Sequence, residues 1–154
     1  MKFDIVDPFV DSIIGVCDRL GIKVIKDKVV VKTGKKVEYK FSFYFKIKGD
    51  FKGVVVYEIS DKLSKEIIKR LYQIEDLPAD EEILMSGLAE FGNVVNSKLV
   101  ETLYSVGKDF SISYPISSKA KGRIISYSSP CVEVSFASEF GELILSIIFE
   151  SSKF

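Results

Sequence analysis

The chain has 154 residues, with 22 basic and 22 acidic side chains and no histidine. This length predicts a single domain over residues 1–154 that can bury about two-thirds of the surface of the unfolded chain. The balanced charge gives no reason to expect nucleic acid or a membrane as a partner, and the lack of histidine excludes a Ser-His-Asp triad, a Cys-His dyad and histidine-ligated zinc.

The two cysteines, Cys17 and Cys131, lie among apolar residues. They predict small core side chains of a cytoplasmic protein rather than a disulfide framework. No apolar run approaches the ~18 residues of a membrane span, and the N-terminus lacks a signal-peptide pattern. We therefore expect a cytoplasmic protein.

The first half of the chain predicts a helix followed by strands. Apolar residues recur at helical spacing over Phe3–Leu20. Lys23–Thr33 predicts a strand or a hairpin, and alternation over Val37–Lys48 predicts a strand with one buried and one wet face. A turn over Gly49–Gly53 leads to a returning strand, Val54–Ile59.

Two helices follow. A short one, capped by Ser60 or Asp61, runs to about Tyr72. After an acidic connector, Asp80 can cap a long helix over Glu81–Ser105. Its apolar residues recur at helical spacing, at Leu84, Leu88, Phe91, Val95, Leu99 and Leu103. A polar stripe is then expected on the opposite side, formed by Ser86, Glu90, Asn93, Ser97 and Glu101.

The second half ends in predicted strands. They lie near Phe110–Tyr114, Arg123–Tyr127, Val132–Ala137 and Leu143–Glu150, and Pro115 and Pro130 are expected at strand ends or edges. Lys48–Tyr57 is similar in sequence to Ser138–Ser146, and each half begins with a long helix. These observations predict an internally duplicated unit.

The long helix contains the most informative segment, Ser86-Gly87-Leu88-Ala89-Glu90-Phe91-Gly92-Asn93. Gly92 falls on the apolar side, where a glycine costs roughly 1 kcal/mol relative to alanine and indicates close approach of another element. The segment resembles the signature helix of the CheC/CheX family of chemotaxis phosphatases, roughly Ser-Ala-Leu-x-Glu-x-Gly-Asn. The one departure is Gly87, where the family usually has alanine. The order of elements over most of the chain is also similar, and the single Glu-x-x-Asn pair is closest to CheX.

The resemblance implies an α+β, CheC-like fold of duplicated helix-plus-antiparallel-strand units, with two long helices packed on the sheet. It also implies a phosphatase for the aspartyl phosphate of a CheY-type response regulator, with Glu90 and Asn93 as catalytic residues. Asn93 would orient the attacking water, as a glutamine does in GTPases, and Glu90 would pair with a regulator lysine. The chain itself would bind no cofactor or metal, and Mg²⁺ is expected on the partner regulator. CheX proteins are expected to be homodimers joined through sheet edges, with Val37–Lys48 or the C-terminal strands as candidates.

Two other readings remain open. The first is a non-catalytic CheC-fold binding module related to flagellar switch proteins, although those lack the asparagine. The second is a structural or adaptor protein whose long amphipathic strand mediates self-association, with the helix motif only a relic. The segment between Ile22 and Lys52 carries ten lysines against three acidic residues. A nucleic-acid surface there has no arginine cluster or binding motif to support it, so the segment is interpreted as a solvated sheet face with lysine-protected edges.

Overall fold

A computed structural model describes residues 5–117 and 124–150 of the protein. Its helices are α1 (Val6–Arg19), α2 (Asp61–Tyr72) and α3 (Glu81–Ser105). Its strands are β1 (Ile25–Lys36), β2 (Phe41–Gly49), β3 (Gly53–Ile59), β4 (Phe110–Ile112), β5 (Ile116–Ser117), β6 (Ile124–Ser138) and β7 (Gly141–Phe149). No helix in these ranges is long and apolar enough to cross a membrane.

The described strands form one antiparallel sheet in the order β1-β6-β7-β3-β2-β4, with β5 also paired to β2. The order is symmetric about its centre, where β3 pairs with β7. The first strand of each half lies beside a strand of the other half, because β1 pairs with β6 and β4 pairs with β2. The α+β, duplicated architecture predicted from the sequence is therefore confirmed.

Several predicted boundaries need correction. Lys23–Thr33 is not a hairpin, because β1 is one strand paired with β6 along its length. The strand predicted over Val37–Lys48 begins only at Phe41. The backbone N–H groups of Glu38 and Tyr39 instead donate to the Glu58 carboxylate, at 2.5 and 3.1 Å.

The C-terminal strands and the α2 cap also differ in detail. The two strands predicted near Arg123–Tyr127 and Val132–Ala137 are one strand, β6. Arg123, and Phe3 at the start of the predicted first helix, lie outside the described residues. Pro130 sits inside β6 but pairs only with β1, since pairing with β7 begins at Cys131. This is a local edge, where a missing N–H is tolerated. Ser60 precedes α2 but its hydroxyl accepts the Glu142 N–H rather than capping the helix.

The sheet edges are not the ones expected for dimer formation. The strand predicted over Val37–Lys48 became β2, which lies between β3 and β4, and β6 and β7 are also interior strands. Among the described strands, the edges are β1 and, on the other side, β4 and β5. Pairing between strands that are distant in the chain determines which strands are edges, and no local sequence pattern indicates it.

One face of the sheet carries all three helices and the main core. The core includes the predicted apolar stripe of α3 together with Phe9 and Ile13 of α1 and Phe43 and Phe45 of β2. The opposite face of β2 is wet only at its far end: Ser42 is fully buried and Tyr44 half-buried, whereas Lys46 and Lys48 are exposed.

A buried ion cluster covers part of that second face. Lys35 is only 3% exposed at the end of β1. Its ammonium group pairs with the buried Glu58 carboxylate and lies 2.9 Å from Glu133 Oε2. The two carboxylates raise the pKa of Lys35 against the opposing effect of burial. The cluster pins the end of β1 over β3 and β6, because separating a buried charge from its partner is costly.

Helix α3 approaches the sheet closely at Gly92. A Cβ atom there would lie 2.9 Å from Cε2 and Cζ of Phe45, and closer still to Cε2 of Phe43. Both rings are fully buried and pack against Tyr57, with ring centroids 5.1 Å apart for Phe43 and 5.7 Å apart for Phe45. The rings cannot retreat, so the glycine predicted as a close-packing point is confirmed as one.

We expect Gly92→Ala to destabilise the protein by about 1–3 kcal/mol, because the added methyl group must displace packed rings. Gly15→Ala in α1 is the matched control. Its Cβ would meet only the flexible end of Lys98, 2.7 Å from Nζ, so this change should be neutral or stabilise by up to about 1 kcal/mol. Urea unfolding of both variants measures the difference, and equal stabilities would contradict the packing constraint.

Candidate functional site

Helix α3 is held at both ends. The Asp80 side chain accepts the Glu82 N–H at 2.8 Å, as predicted for an N-cap, and Lys40 pairs with Glu81. At the other end, Gly107 has φ 82° and its N–H donates to Tyr104 O at 3.1 Å. The helix spans Glu81–Ser105, the bounds expected from the sequence.

Glu90 and Asn93 lie side by side on the outer side of α3. Glu90 is exposed and Asn93 is half-buried, and Asn93 Nδ2 lies 3.5 Å from Glu90 Oε2. At that distance the hydrogen bond is weak, so both side chains can rearrange towards a partner. The remaining residues of the predicted polar stripe, Ser86, Ser97 and Glu101, are exposed.

An open groove runs along this stripe between α1 and α3. Besides Glu90 and Asn93, its lining includes Arg19, Ser97 and Lys98. Arg19 is at the end of α1, which is fastened to α2 because the Arg70 guanidinium donates to the carbonyl oxygens of residues 20 and 21, at 3.2 and 2.7 Å. The groove therefore places cationic groups near the two candidate residues. Sequence reasoning missed Arg19, since no local pattern relates α1 to α3.

Asn96 was also missed as a positioning group. Only 5% of it is exposed, and its Oδ1 accepts a hydrogen bond from the Tyr57 hydroxyl at 2.9 Å. Asn96 follows Asn93 by three residues, so this bond connects the turn of α3 that carries Asn93 to β3, on the buried side of the helix. A polar residue among the apolar positions of the helix is the signal that could have found it.

Few other chemistries are available at this site. Burial raises the pKa of Cys17 to about 12 and that of Cys131 to about 11, so neither thiol supplies a thiolate near neutral pH. Among the described residues no cluster of cysteine, aspartate and glutamate is arranged to hold a metal ion. What the site offers a substrate is a carboxylate and a carboxamide on a fixed helix.

Comparison with known proteins agrees with this architecture. The family profile "Chemotaxis phosphatase CheX" matches residues 41–137. A crystal structure of CheX from Desulfovibrio desulfuricans is 22% identical, with a TM-score of 0.79 over 96% of this chain and 99% of its own. The CheX–CheY–BeF₃–Mg²⁺ complex from Borrelia burgdorferi matches with 18% identity and a TM-score of 0.70, over 97% of this chain and 99% of that one.

A more distant likeness is to FliY from Thermotoga maritima, at 15% identity and a TM-score of 0.63 over 92% of this chain and 84% of its own. No curated protein matches the chain in a sequence comparison. The fold is thus that of the CheC-like proteins. Because the profile covers more than half of the sequence, the chain belongs to the CheX family of chemotaxis phosphatases.

Proposed function

We propose that this protein hydrolyses the aspartyl phosphate of a CheY-type response regulator, with Asn93 orienting the attacking water. The observation that carries the proposal is the accessible Glu90–Asn93 pair on a helix whose position is fixed at Gly92. Family membership supports phosphatase activity in general, and the similar Borrelia protein was solved with CheY and Mg²⁺.

The chemistry suits a protein whose site has no histidine or reactive thiol. Water attacks phosphorus in line, a new P–O bond forms and the bond to the aspartyl oxygen breaks. The products are inorganic phosphate and a free aspartate, and the protons of the water remain with phosphate or solvent. Mg²⁺ and a lysine of the regulator would balance the charge. The carboxamide of Asn93 has both an acceptor and donors with which to hold the water.

Glu90 has a different role in this proposal. It lies one helical turn from Asn93 and is not assigned to the attacking water. Its carboxylate is exposed and would pair with a regulator lysine, so that the helix docks with Asn93 over the phosphoryl group. This division assigns docking to one residue and water orientation to the other, and no covalent intermediate on this protein is needed.

A non-catalytic binding module is the second candidate. The likeness to FliY favours it at the level of the fold, whereas the retained Glu90 and Asn93 favour catalysis. A phosphatase turns over many regulator molecules, and a binder acts stoichiometrically or not at all. Decay of the phosphorylated regulator at a hundredfold molar excess over this protein therefore separates the two.

Asn93→Ala is expected to lower the dephosphorylation rate on the order of a hundredfold or more, because the water loses its orienting group. Folding and regulator binding should be unchanged, since alanine is the better helix former. Asn93→Asp should also be inactive, because a carboxylate repels the phosphoryl group. Ser97→Ala, on the same exposed stripe, is the control. If Asn93→Ala matches the parent rate, the mechanism is wrong.

Glu90→Lys is expected to raise the Kd for the phosphorylated regulator by about tenfold or more, because the new lysine would face the regulator lysine that Glu90 is proposed to pair with. Glu101→Lys is the matched control. It makes the same change in charge on an exposed residue of the same stripe, about 16 Å further along α3. Fluorescence titration compares the two, and equal affinities would mean that Glu90 faces no basic group.

We also propose a homodimer, now through β1 rather than the strands expected from the sequence. This edge exposes Val29, Val30 and Val31, the last by 66%, and unpaired edge strands with apolar side chains readily join a second sheet. Val31→Lys should therefore dissociate the dimer. Tyr114→Lys, on an 89% exposed residue beyond β4, should not. Light scattering that finds only monomer for the parent at micromolar concentration would contradict the proposal.

A further inference from the structure

An exposed apolar patch borders Glu90 on the side of α2. Tyr72, the last residue of α2, is 49% exposed, and Ile83, in the first turn of α3, is 54% exposed. The two residues come from different helices that meet at Gly87. We call Tyr72 and Ile83 together the Tyr72 patch.

Gly87 is what lets the Tyr72 ring lie against α3. A Cβ atom at Gly87 would be 3.2 Å from Cε2 of Tyr72 and 3.4 Å from Cγ1 of Ile68. The distance to Tyr72 is tighter than ordinary van der Waals contact, whereas that to Ile68 is ordinary, so a methyl group would push the ring outward by a few tenths of an ångström. With glycine at this position, the ring occupies space that a methyl group would take.

The Tyr72 side chain is also close enough to Glu90 to interact with its charge. Burial and then the negative charge of Glu90 raise the pKa of the Tyr72 hydroxyl. Glu90 follows Gly87 by one turn, about 4.5 Å along the axis, and Ile83 lies about 10 Å from Glu90. The patch is therefore continuous with the candidate catalytic stripe.

The core beneath does not require these side chains. Leu63, Ile67 and Ile68 of α2 fill it and are buried, whereas Tyr72 follows them at the helix end and Gln73 ends α2 in the left-handed conformation, with φ 55°. Tyrosine is enriched in interfaces and among hot-spot residues, so the half-exposed Tyr72 ring beside the candidate site is suited to serve as an interface anchor.

We propose that the Tyr72 patch is a docking contact for the phosphorylated regulator, and that it packs against apolar side chains of that partner. This inference rests on the proposed function. A partner that admits Glu90 and Asn93 into its pocket must cover the neighbouring turns of α3, since a specific interface buries about 800 Å² on each side. The patch lies inside that footprint and supplies affinity, whereas Asn93 supplies chemistry.

Tyr72→Ala is expected to raise the KM for the phosphorylated CheY-type regulator, and its Kd in a fluorescence titration, by about tenfold or more with kcat unchanged. Tyr72→Phe should restore parent values, because the contact is made by the ring. Gly87→Ala should raise KM by displacing that ring. A merely structural role would instead lower stability and kcat without a selective change in KM.

Tyr44→Ala is the matched control. Tyr44 is half-buried on β2, and its neighbours Phe43 and Phe45 face α3, so Tyr44 points away from the helices. Its KM should equal the parent value. If Tyr72→Ala leaves KM and Kd unchanged while Asn93→Ala abolishes activity, the proposed docking role of the Tyr72 patch is wrong and the proposed function stands. If the parent neither binds nor dephosphorylates the regulator, both are overturned.

Discussion

The contact between the backbone of α3 at Gly92 and the rings of Phe43 and Phe45 is the constraint on which the candidate site depends. A helix can slide or rotate on a sheet when side chains separate them. Here no side chain separates α3 from the two packed rings at Gly92, and the Tyr57–Asn96 hydrogen bond lies one turn further along the helix. With translation and rotation both restricted, the outward direction of the Glu90–Asn93 pair follows.

This rigidity matters because the proposed chemistry uses position alone. A carboxamide is neither a strong acid nor a strong base, so orienting a water is its main possible contribution. Orientation fails when the group moves by about an ångström. A site on a capped helix of 25 residues, fastened from below, meets that requirement better than one on a loop.

The two faces of the sheet have different structural roles. The helix-bearing face contains the core and the candidate site. On the other face, Lys35 and Glu58 hold the end of β1 across the sheet. The same carboxylate binds the N–H groups of Glu38 and Tyr39, which is why β2 starts later than its alternating pattern predicts. Much of the lysine-rich segment is exposed, as expected, but Lys35 is a structural member of it.

The sequence by itself determined the bounds of α3, its cap at Asp80, its buried stripe and the outward-facing Glu90–Asn93 pair. These features depend on contacts three or four residues apart, which helical periodicity records directly. Only the tertiary structure decided which strands are edges, that Lys35 is buried, and that Arg19 and Tyr72 border the site. Those outcomes depend on pairing between segments far apart in the chain, above all the exchange of β1 and β4 between the two halves of the sheet, and no local pattern records them.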